Sequence, residues 1–419
     1  MVAVAWVILQ LWGLGLTPFH TKGEPREAIV VQDLVRSGDW VLPKRNGVGL
    51  PRKPPLFYWL GALSARVGGA LDEASVRRPS AVLSGAVALL LSATAAALYG
   101  PVAALVSGLA LLTSFEWLRA ATAARVDMTL TFGLSLVFIA LLNFRRAPRG
   151  VWLIVLYAGV AWATLAKGIP GLAIPALAVA ALCLVDRSRR AATSLRPLRG
   201  LLVALLVAGA WYAAATARAG REFLTIVASE NLLRVFGGRD VGLGHEHSVG
   251  YLAGVLLVGL LPWTLLLPSV AGALWRDRST LQRGDARLLA VVWSLVVLLP
   301  YTLAASKRGV YLLPLYPAVA LLLGWWADRL VLEGRTSGWL SGVVAPLLWL
   351  LALLLGLLAL ATAAQWRGLP LLEAATPFVD LRAAADLGRI ASAAGPIMAA
   401  CLAVATMAAV TAALALRRR

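Results

Sequence analysis

Apolar runs of about 17–25 residues recur along almost the whole chain, each long enough to cross about 30 Å of hydrocarbon. No soluble core of a 419-residue chain could hide them all. The composition agrees: 60% hydrophobic and 14% charged, against about 45–50% apolar and 25% charged in ordinary soluble domains. Helices satisfy their own backbone polar groups in lipid, so the fold class is all-α and polytopic. The pattern predicts about twelve spans, at roughly 1–18, 79–98, 101–115, 126–144, 151–166, 168–185, 198–216, 251–274, 288–305, 309–328, 338–364 and 394–416. The run from Val2 to Leu16 lacks a basic leader and a small-residue cleavage site, so it reads as a first span. With no internal repeat, residues 1–419 read as one membrane domain.

The formal charge of +19 does not point to nucleic acid, because much of it sits in short loops between spans. Arg145, Arg146 and Arg149 form one cluster, and Arg187, Arg189, Arg190, Arg196 and Arg199 another. Arg276, Arg278, Arg283 and Arg287 follow, then Arg417, Arg418 and Arg419. Alternation puts all of these on one side, which the positive-inside rule makes cytoplasmic along with both termini. The opposite, periplasmic side collects the long connections at 19–78, 217–250 and 365–393. It also collects fifteen of the twenty acids. Acids contribute little to orientation, so their asymmetry is separate evidence that chemistry is to be expected there. Cys183 and Cys401 each lie inside an apolar run, which argues against a disulfide framework.

The first outer loop is the richest stretch. Pro25 suits a first helical turn and Gly38 a helix end. Ile29, Val30, Leu34 and Val35 form an apolar stripe with Arg26, Glu27, Asp33 and Arg36 mostly elsewhere, the pattern of an amphipathic surface helix. Glu24 falls at its N-terminus, where the helix dipole favours a carboxylate. A second helix is predicted from Pro54 or Pro55, with Arg52 and Lys53 just before it. Cationic heads and free backbone N–H groups converging there suit a phosphate; lipid headgroups are the other reading.

Further ionisable residues gather at the same outer rim. Asp127 opens a span two residues after Arg125, and charged groups on apolar helices are costly and commonly functional. Lys167 lies in the tight turn Ala166–Gly171, placed either for headgroups or for a phosphate. Lys307 and Arg308 precede Tyr311 at another outer turn. Glu230, Asn231, Arg234, His245, Glu246 and His247 make a polar outer loop suited to substrate contact. Two histidines at i, i+2 are a weak zinc signal; no metal or other cofactor is assigned, and a divalent ion stays open.

The run Gly-Glu-Pro-Arg-Glu-Ala at 23–28, Ser-Gly-Asp-Trp at 37–40 and Lys-Pro-Pro-Leu-Phe-Tyr-Trp-Leu at 53–60 resembles the first periplasmic loop of bacterial GT-C glycosyltransferases. These are the aminoarabinose lipid A transferases and protein O-mannosyltransferase relatives (glycosyltransferase families 39 and 83). Arg77-Arg78-Pro79-Ser80, Arg125-Val126-Asp127, Ala166-Lys167-Gly168, Glu230-Asn231-x-x-Arg234, His245-x-His247 and Lys307-Arg308-x-x-Tyr311-x-x-Pro314 follow in the same order. The resemblance covers roughly residues 17–325. It implies a GT-C fold of about twelve spans with surface helices in the first loop. It also implies transfer of a sugar from a polyprenyl-phosphate donor to a lipid A-like lipid or a protein at the periplasmic face of the inner membrane.

In that family a first-loop acid is central to catalysis, often in Asp-Glu-x-Arg. Here the Asp position is Gly23, so Glu24 is carried over, with Glu27 and Asp127 as competing catalytic carboxylates. Arg26, Lys53, Tyr58, Arg125, Lys167, Lys307, Arg308 and Tyr311 are the expected substrate contacts, with Glu230, Asn231, Arg234, His245 and His247. A single displacement would invert the anomeric centre. A transporter or flippase of lipid-linked sugars is the rival class, and it would be expected to place charges at mid-membrane instead.

Overall fold

The computed structural model describes residues 1–19, 21, 23–186, 193–229, 247–248, 250–281, 284–304 and 306–333, then 349, 353, 356–357, 359–364 and 367. The secondary structure of the described residues is helical, with no strand; an isolated bridge joins Arg45 and Gly49. By backbone contacts the chain divides into a unit of residues 1–14 and 19–328 and a unit of residues 15–18 and 329–419. Every side chain of the candidate site below belongs to the first unit.

Among the described residues, seven helices are long and apolar enough to cross a membrane: Glu73–Tyr99 (α4), Val126–Arg146 (α7), Gly150–Lys167 (α8), Ile169–Asp186 (α9), Pro197–Ala228 (α10), Ala286–Leu303 (α13) and Gly309–Val331. The last comprises a 3-10 segment, Gly309–Leu315, running into Tyr316–Glu333 (α14). These match seven of the expected spans. Two further spans are broken rather than straight. Pro101–Thr113 (α5) meets Phe115–Ala121 (α6) at 67°, and Tyr251–Gly259 (α11) meets the stretch Trp263–Arg276 at 103°, within which Leu267–Arg276 is α12. The breaks satisfy each other: Phe115 N donates to Leu261 O at 3.1 Å, and Trp263 Nε1 to Thr113 Oγ1 at 2.9 Å. Broken backbone at membrane depth needs such partners inside the protein. The first apolar run is helical only over Val2–Leu11, of which Val2–Trp6 is α1. The spans expected at 338–364 and 394–416 lie wholly or mostly outside the described residues.

Helix α4 begins earlier than its apolar run. Asp72 accepts from Ser75 N at 2.8 Å in a capping box, which starts the helix at Glu73. Arg77 and Arg78 therefore sit inside α4, not ahead of it. Helix α10 outruns its expected span and is interrupted at Gly220, whose φ of +61 breaks the helical path.

The first long connection folds into Glu24–Ser37 (α2) and Leu56–Gly68 (α3). Pro25 lies in the first turn, and Gly38 ends α2 in the left-handed region with its N–H on Leu34 O at 3.0 Å. Val30, Val31 and Leu34 bury against Phe57, Tyr58, Ala62, Val76, Ala124 and Val126. Glu24 and Glu27 are buried on this same inward face. Glu27 thus lies on the packed side of the helix, not off the apolar stripe as its charge suggested. The reason is pairing: buried carboxylates are tolerated when cations and donors meet them, as both are here.

Candidate active site

Helix α7 and helix α8 are antiparallel neighbours, so the first turn of one meets the last turn of the other. Asp127 in the first turn of α7 accepts a hydrogen bond from Lys167 Nζ, at the end of α8, at 2.6 Å. The ammonium lies 4.4 Å from the Tyr311 ring centroid, and Tyr311 packs on Tyr301 with centroids 5.1 Å apart. At the far end of α7, Arg145 pairs with Asp186. The helix thus carries its charged groups at its two ends.

Glu27 is the second carboxylate. Lys53 Nζ donates to its Oε1 at 2.5 Å, Arg26 Nη2 to the same oxygen at 3.2 Å, and Tyr58 OH to Oε2 at 2.7 Å. Burial pushes this carboxyl up, but the Lys53 charge, the Lys53 and Tyr58 hydrogen bonds and the Arg26 charge outweigh it. The group is held below the usual carboxylate range.

These two carboxylates share a cavity of about 370 Å³. Arg26, Lys53, Arg119, Arg125, Lys307 and Arg308 also line it, giving six cationic side chains against two acids among the described residues. Gly23, Val126, Gly309 and Val310 line it too, as do His247 and Tyr251, whose rings stack 3.8 Å apart. The convergence expected of scattered outer residues is therefore present within one pocket. Lys307 is 7% exposed, and its ammonium donates to Ala304 O at 2.8 Å. The Arg125 Nε is buried without a hydrogen-bond partner among the described residues.

Several expected site residues stand elsewhere. Glu24 is fully buried and does not line the cavity. Arg77 Nε donates to its Oε1 at 2.8 Å, Ala124 N to the same oxygen at 3.1 Å, and Thr21 N to Oε2 at 3.3 Å. Arg77 Nη1 also donates to Leu14 O at 2.8 Å. Glu24 therefore ties α2 to α4 and to the segment before α7, a structural post that the helix-dipole argument could not foresee. Tyr58 and Lys167 are not on the cavity wall either; they stand behind it and hold Glu27 and Asp127. Tyr311 likewise backs Lys167. Glu230, Asn231, Arg234 and His245 lie outside the described residues.

Arg119 was missed. It sits on α6, the short half of a broken span, and is held by Glu116 through Nε to Oε2 at 2.7 Å and Nη2 to Oε1 at 2.5 Å. The signal was an acid and an arginine at i, i+3 beside an apolar run, eight residues before Asp127. Among the described residues no group of three or more His, Cys, Asp or Glu side chains is gathered as a metal site would require.

Fold and site together define a multi-pass membrane protein with the GT-C fold. Residues 52–212 match the family model described as dolichyl-phosphate-mannose-protein mannosyltransferase. The chain is 29% identical over 368 residues to the undecaprenyl phosphate-alpha-4-amino-4-deoxy-L-arabinose arabinosyl transferase of Edwardsiella ictaluri, spanning 86% of this chain and 65% of that one. A homologue of the same name in Sodalis glossinidius is 30% identical over 79% of this chain and 59% of its own. The chain thus spans less than two thirds of the length of these curated relatives. Its fold matches the crystal structure of ArnT from Cupriavidus metallidurans bound to undecaprenyl phosphate, with a TM-score of 0.72, 22% identity and coverage of 97% and 76%. The arabinosyltransferase EmbB of Mycobacterium smegmatis shares the fold more distantly, with a TM-score of 0.51, 17% identity and coverage of 99% and 40%. The resemblance read from the ordered motifs is borne out: the chain is aminoarabinose-transferase-like in sequence and GT-C in fold.

Proposed function

We propose that this protein is a glycosyltransferase that moves a sugar from a polyprenyl-phosphate donor to a lipid or protein acceptor at the periplasmic face of the inner membrane. The observation that carries the reading is the single cavity holding Asp127 and Glu27 among six cations. Displacement from a lipid phosphate needs a carboxylate for the acceptor proton and cations for the departing phosphate. Similarity to the undecaprenyl-phosphate-dependent transferases named above supports the donor class.

The two acids divide the work by their partners. Glu27 accepts three donors on its two oxygens, which makes it a weak base and a fixed post for Lys53. Asp127 accepts from Lys167 on Oδ1 alone among the described residues, so Oδ2 is left to face the acceptor. The acceptor O–H gives its proton to Asp127, and its oxygen attacks the anomeric carbon. The bond from that carbon to the phosphate oxygen breaks, with its electron pair leaving on polyprenyl phosphate, and the centre inverts. Lys53, Arg125 and Arg308 meet the charge of the released phosphate.

A carrier of lipid-linked sugars is the competing class. The charged pairs at the ends of α7 and α8 favour the enzyme, because a carrier needs its ionisable groups near mid-membrane. The cytoplasmic placing of both termini, drawn from the arginine clusters, is part of the same proposal. The test is incubation of the reconstituted protein with radiolabelled polyprenyl-phosphate sugar and membrane acceptors. Label appearing on a lipid or protein supports the transferase. Label crossing the vesicle without leaving its carrier overturns it.

A further inference from the structure

Arg119 is held on one edge and open on the other. Its Nε and Nη2 donate to Glu116 at 2.7 and 2.5 Å, which occupies the side-on edge of the guanidinium. The end-on edge, made by Nη1 and the second Nη2 hydrogen, has no hydrogen-bond partner among the described residues. The Arg119 side chain is 35% exposed and lines the cavity, whereas Glu116 is 8% exposed and stands behind it. A guanidinium is rigid and planar, so fixing one edge fixes where the other points. Two N–H groups on one edge fit two oxygens of one phosphate. Two further cations of the same wall are short of partners. Arg125 Nε is buried with none among the described residues, and the ammonium of Lys307, 7% exposed, donates to Ala304 O but meets no carboxylate among them.

The half-span that carries Arg119 is itself placed by a buried polar chain. Gln10 in the first apolar run, Ser84 on α4 and Trp117 on α6 are all fully buried. Trp117 Nε1 donates to Ser84 Oγ at 2.7 Å, Ser84 Oγ to Gln10 Oε1 at 2.6 Å, and Gln10 Nε2 to Leu112 O at 3.4 Å. Leu112 O is among the last four carbonyls of α5, which a helix end leaves without helical partners. Gln10 therefore bridges both halves of the broken span, α5 through Leu112 and α6 through Ser84 and Trp117. A buried polar network whose members are satisfied fixes one arrangement of the core around it. Trp117 and Arg119 lie two residues apart on the seven-residue α6, so what holds the indole also sets where the guanidinium stands.

Resting on the transferase reading above, we propose that Arg119 is a further contact for the donor's phosphate, and that Gln10 is the positioning residue that sets it. The end-on edge of Arg119 takes two phosphate oxygens, on the wall it shares with Arg125 and Lys307. As the bond to the anomeric carbon breaks, negative charge grows on those oxygens. A fork already locked by Glu116 meets that charge without reorganising.

The full chain in detergent is titrated with undecaprenyl phosphate, and its turnover of labelled donor is followed in proteoliposomes. Loss of folded protein lowers binding capacity, not affinity, so the dissociation constant reads the site itself. Replacing Glu116 and Arg119 together by Gln removes the pair without leaving a lone charge. This double variant is expected to bind undecaprenyl phosphate at least about tenfold more weakly, about 1.4 kcal/mol, and to raise KM for the donor but not for the acceptor. Glu116→Gln alone releases Arg119 and is expected to bind no more weakly than the parent. Parental affinity in the double variant, or equal weakening by Glu116→Gln, overturns the contact and leaves Arg119 as a counterion only. Gln10→Met, close in volume, is expected to weaken binding in the parent and to add little in the double variant; a full further loss there overturns the positioning role. Displacement of undecaprenyl phosphate by an equal amount of phosphatidylglycerol assigns the fork to ordinary headgroups and overturns the donor contact. A parent protein that binds undecaprenyl phosphate but transfers no sugar overturns the transferase reading, while the binding series still decides the contact.

Discussion

Lys167 Nζ meets Asp127 Oδ1 at 2.6 Å across forty residues of chain, with the Tyr311 ring 4.4 Å from the same ammonium. The contact joins the last turn of α8 to the first turn of α7 and aims one carboxylate at the cavity. Asp127→Asn keeps the shape and removes the base. Loss of a positioned general base costs about 10²–10⁴-fold in rate, and the donor phosphate still has its cations. Transfer is expected to fall by at least about a hundredfold with donor binding little changed, measured by labelled-donor turnover beside equilibrium binding of polyprenyl phosphate. An Asp127→Asn protein with full turnover removes Asp127 from the reaction.

Glu24 is expected to behave differently, although both acids read from the sequence as catalytic. Its partner Arg77 is 1% exposed, so Glu24→Gln leaves a buried guanidinium without its counterion. Breaking a buried pair from one side costs about 3–5 kcal/mol. Thermal unfolding in detergent is expected to fall accordingly, while turnover per folded molecule stays near that of the parent. Replacing Glu24 and Arg77 together by Met should recover part of the lost stability, because no lone charge is then left behind. A Glu24→Gln protein with parental stability and no turnover would return Glu24 to the chemistry.

The Glu27 carboxyl contributes to the acid limb of stability. Its folded-state value lies below the ordinary 4.5, so its contribution is fully present above that value. It is lost as pH falls from about 4.5 through the lower native value. Stability measured from about pH 6 downward should therefore decline in that window, and Glu27→Gln should flatten this part of the curve while lowering the plateau above it. A decline of unchanged size in Glu27→Gln would assign the acid limb to other groups.

Asp39 and Arg218 form a two-pronged pair at 2.6 and 3.0 Å between the first loop and α10. Burial pushes the Asp39 carboxyl up, but hydrogen bonds from Arg218, Leu42 N and Val41 N outweigh it and hold the group low. The Arg218 side chain is 51% exposed, so the pair is screened by water and salt. Asp39→Asn is expected to cost less than about 1 kcal/mol, and less again at high salt. The bond from Trp211 Nε1 to Val41 O at 2.9 Å is the stronger tether at this place. Thermal unfolding of Asp39→Asn and of Trp211→Phe at two salt concentrations checks both statements.

Much of this architecture is legible in the apolar spacing, because span length is set by bilayer thickness and not by neighbours. Seven spans follow from it directly. The breaks at Ser114 and near Pro262 do not, since each is stabilised by the other through Phe115 N and Leu261 O, a contact between segments far apart in the chain. Local pattern also put Asp127, Lys53 and Arg125 on one common side, and they line one cavity. It could not tell Glu24 from Glu27, which lie three residues apart on one helix face. Which of them reaches the cavity is decided by Arg77, Lys53 and Tyr58, and those arrive from α3 and its flank and from α4. Arg119 was hidden for the same reason: its role follows from the bend between α5 and α6, which no local pattern announces.

The position of Lys167 depends in turn on how closely α9 approaches α8. The turn between them uses Gly168 at a φ of +74, where a side chain would be strained. Three residues on, a β-carbon at Gly171 would lie 2.3 Å from Thr164 N and 2.4 Å from Ala163 C. Those atoms are backbone inside a helix, so α9 itself must shift; small residues are what permit such close helix packing in membranes. Gly171→Ala is expected to cost about 1–3 kcal/mol through overpacking and to lower turnover by moving the Lys167 ammonium off Asp127. Unfolding midpoints read the first effect. The second is read by comparing Gly171→Ala with Lys167→Met singly and together: if both act through Asp127, the double variant loses little more activity than Lys167→Met alone, whereas fully additive losses would separate the glycine from the site.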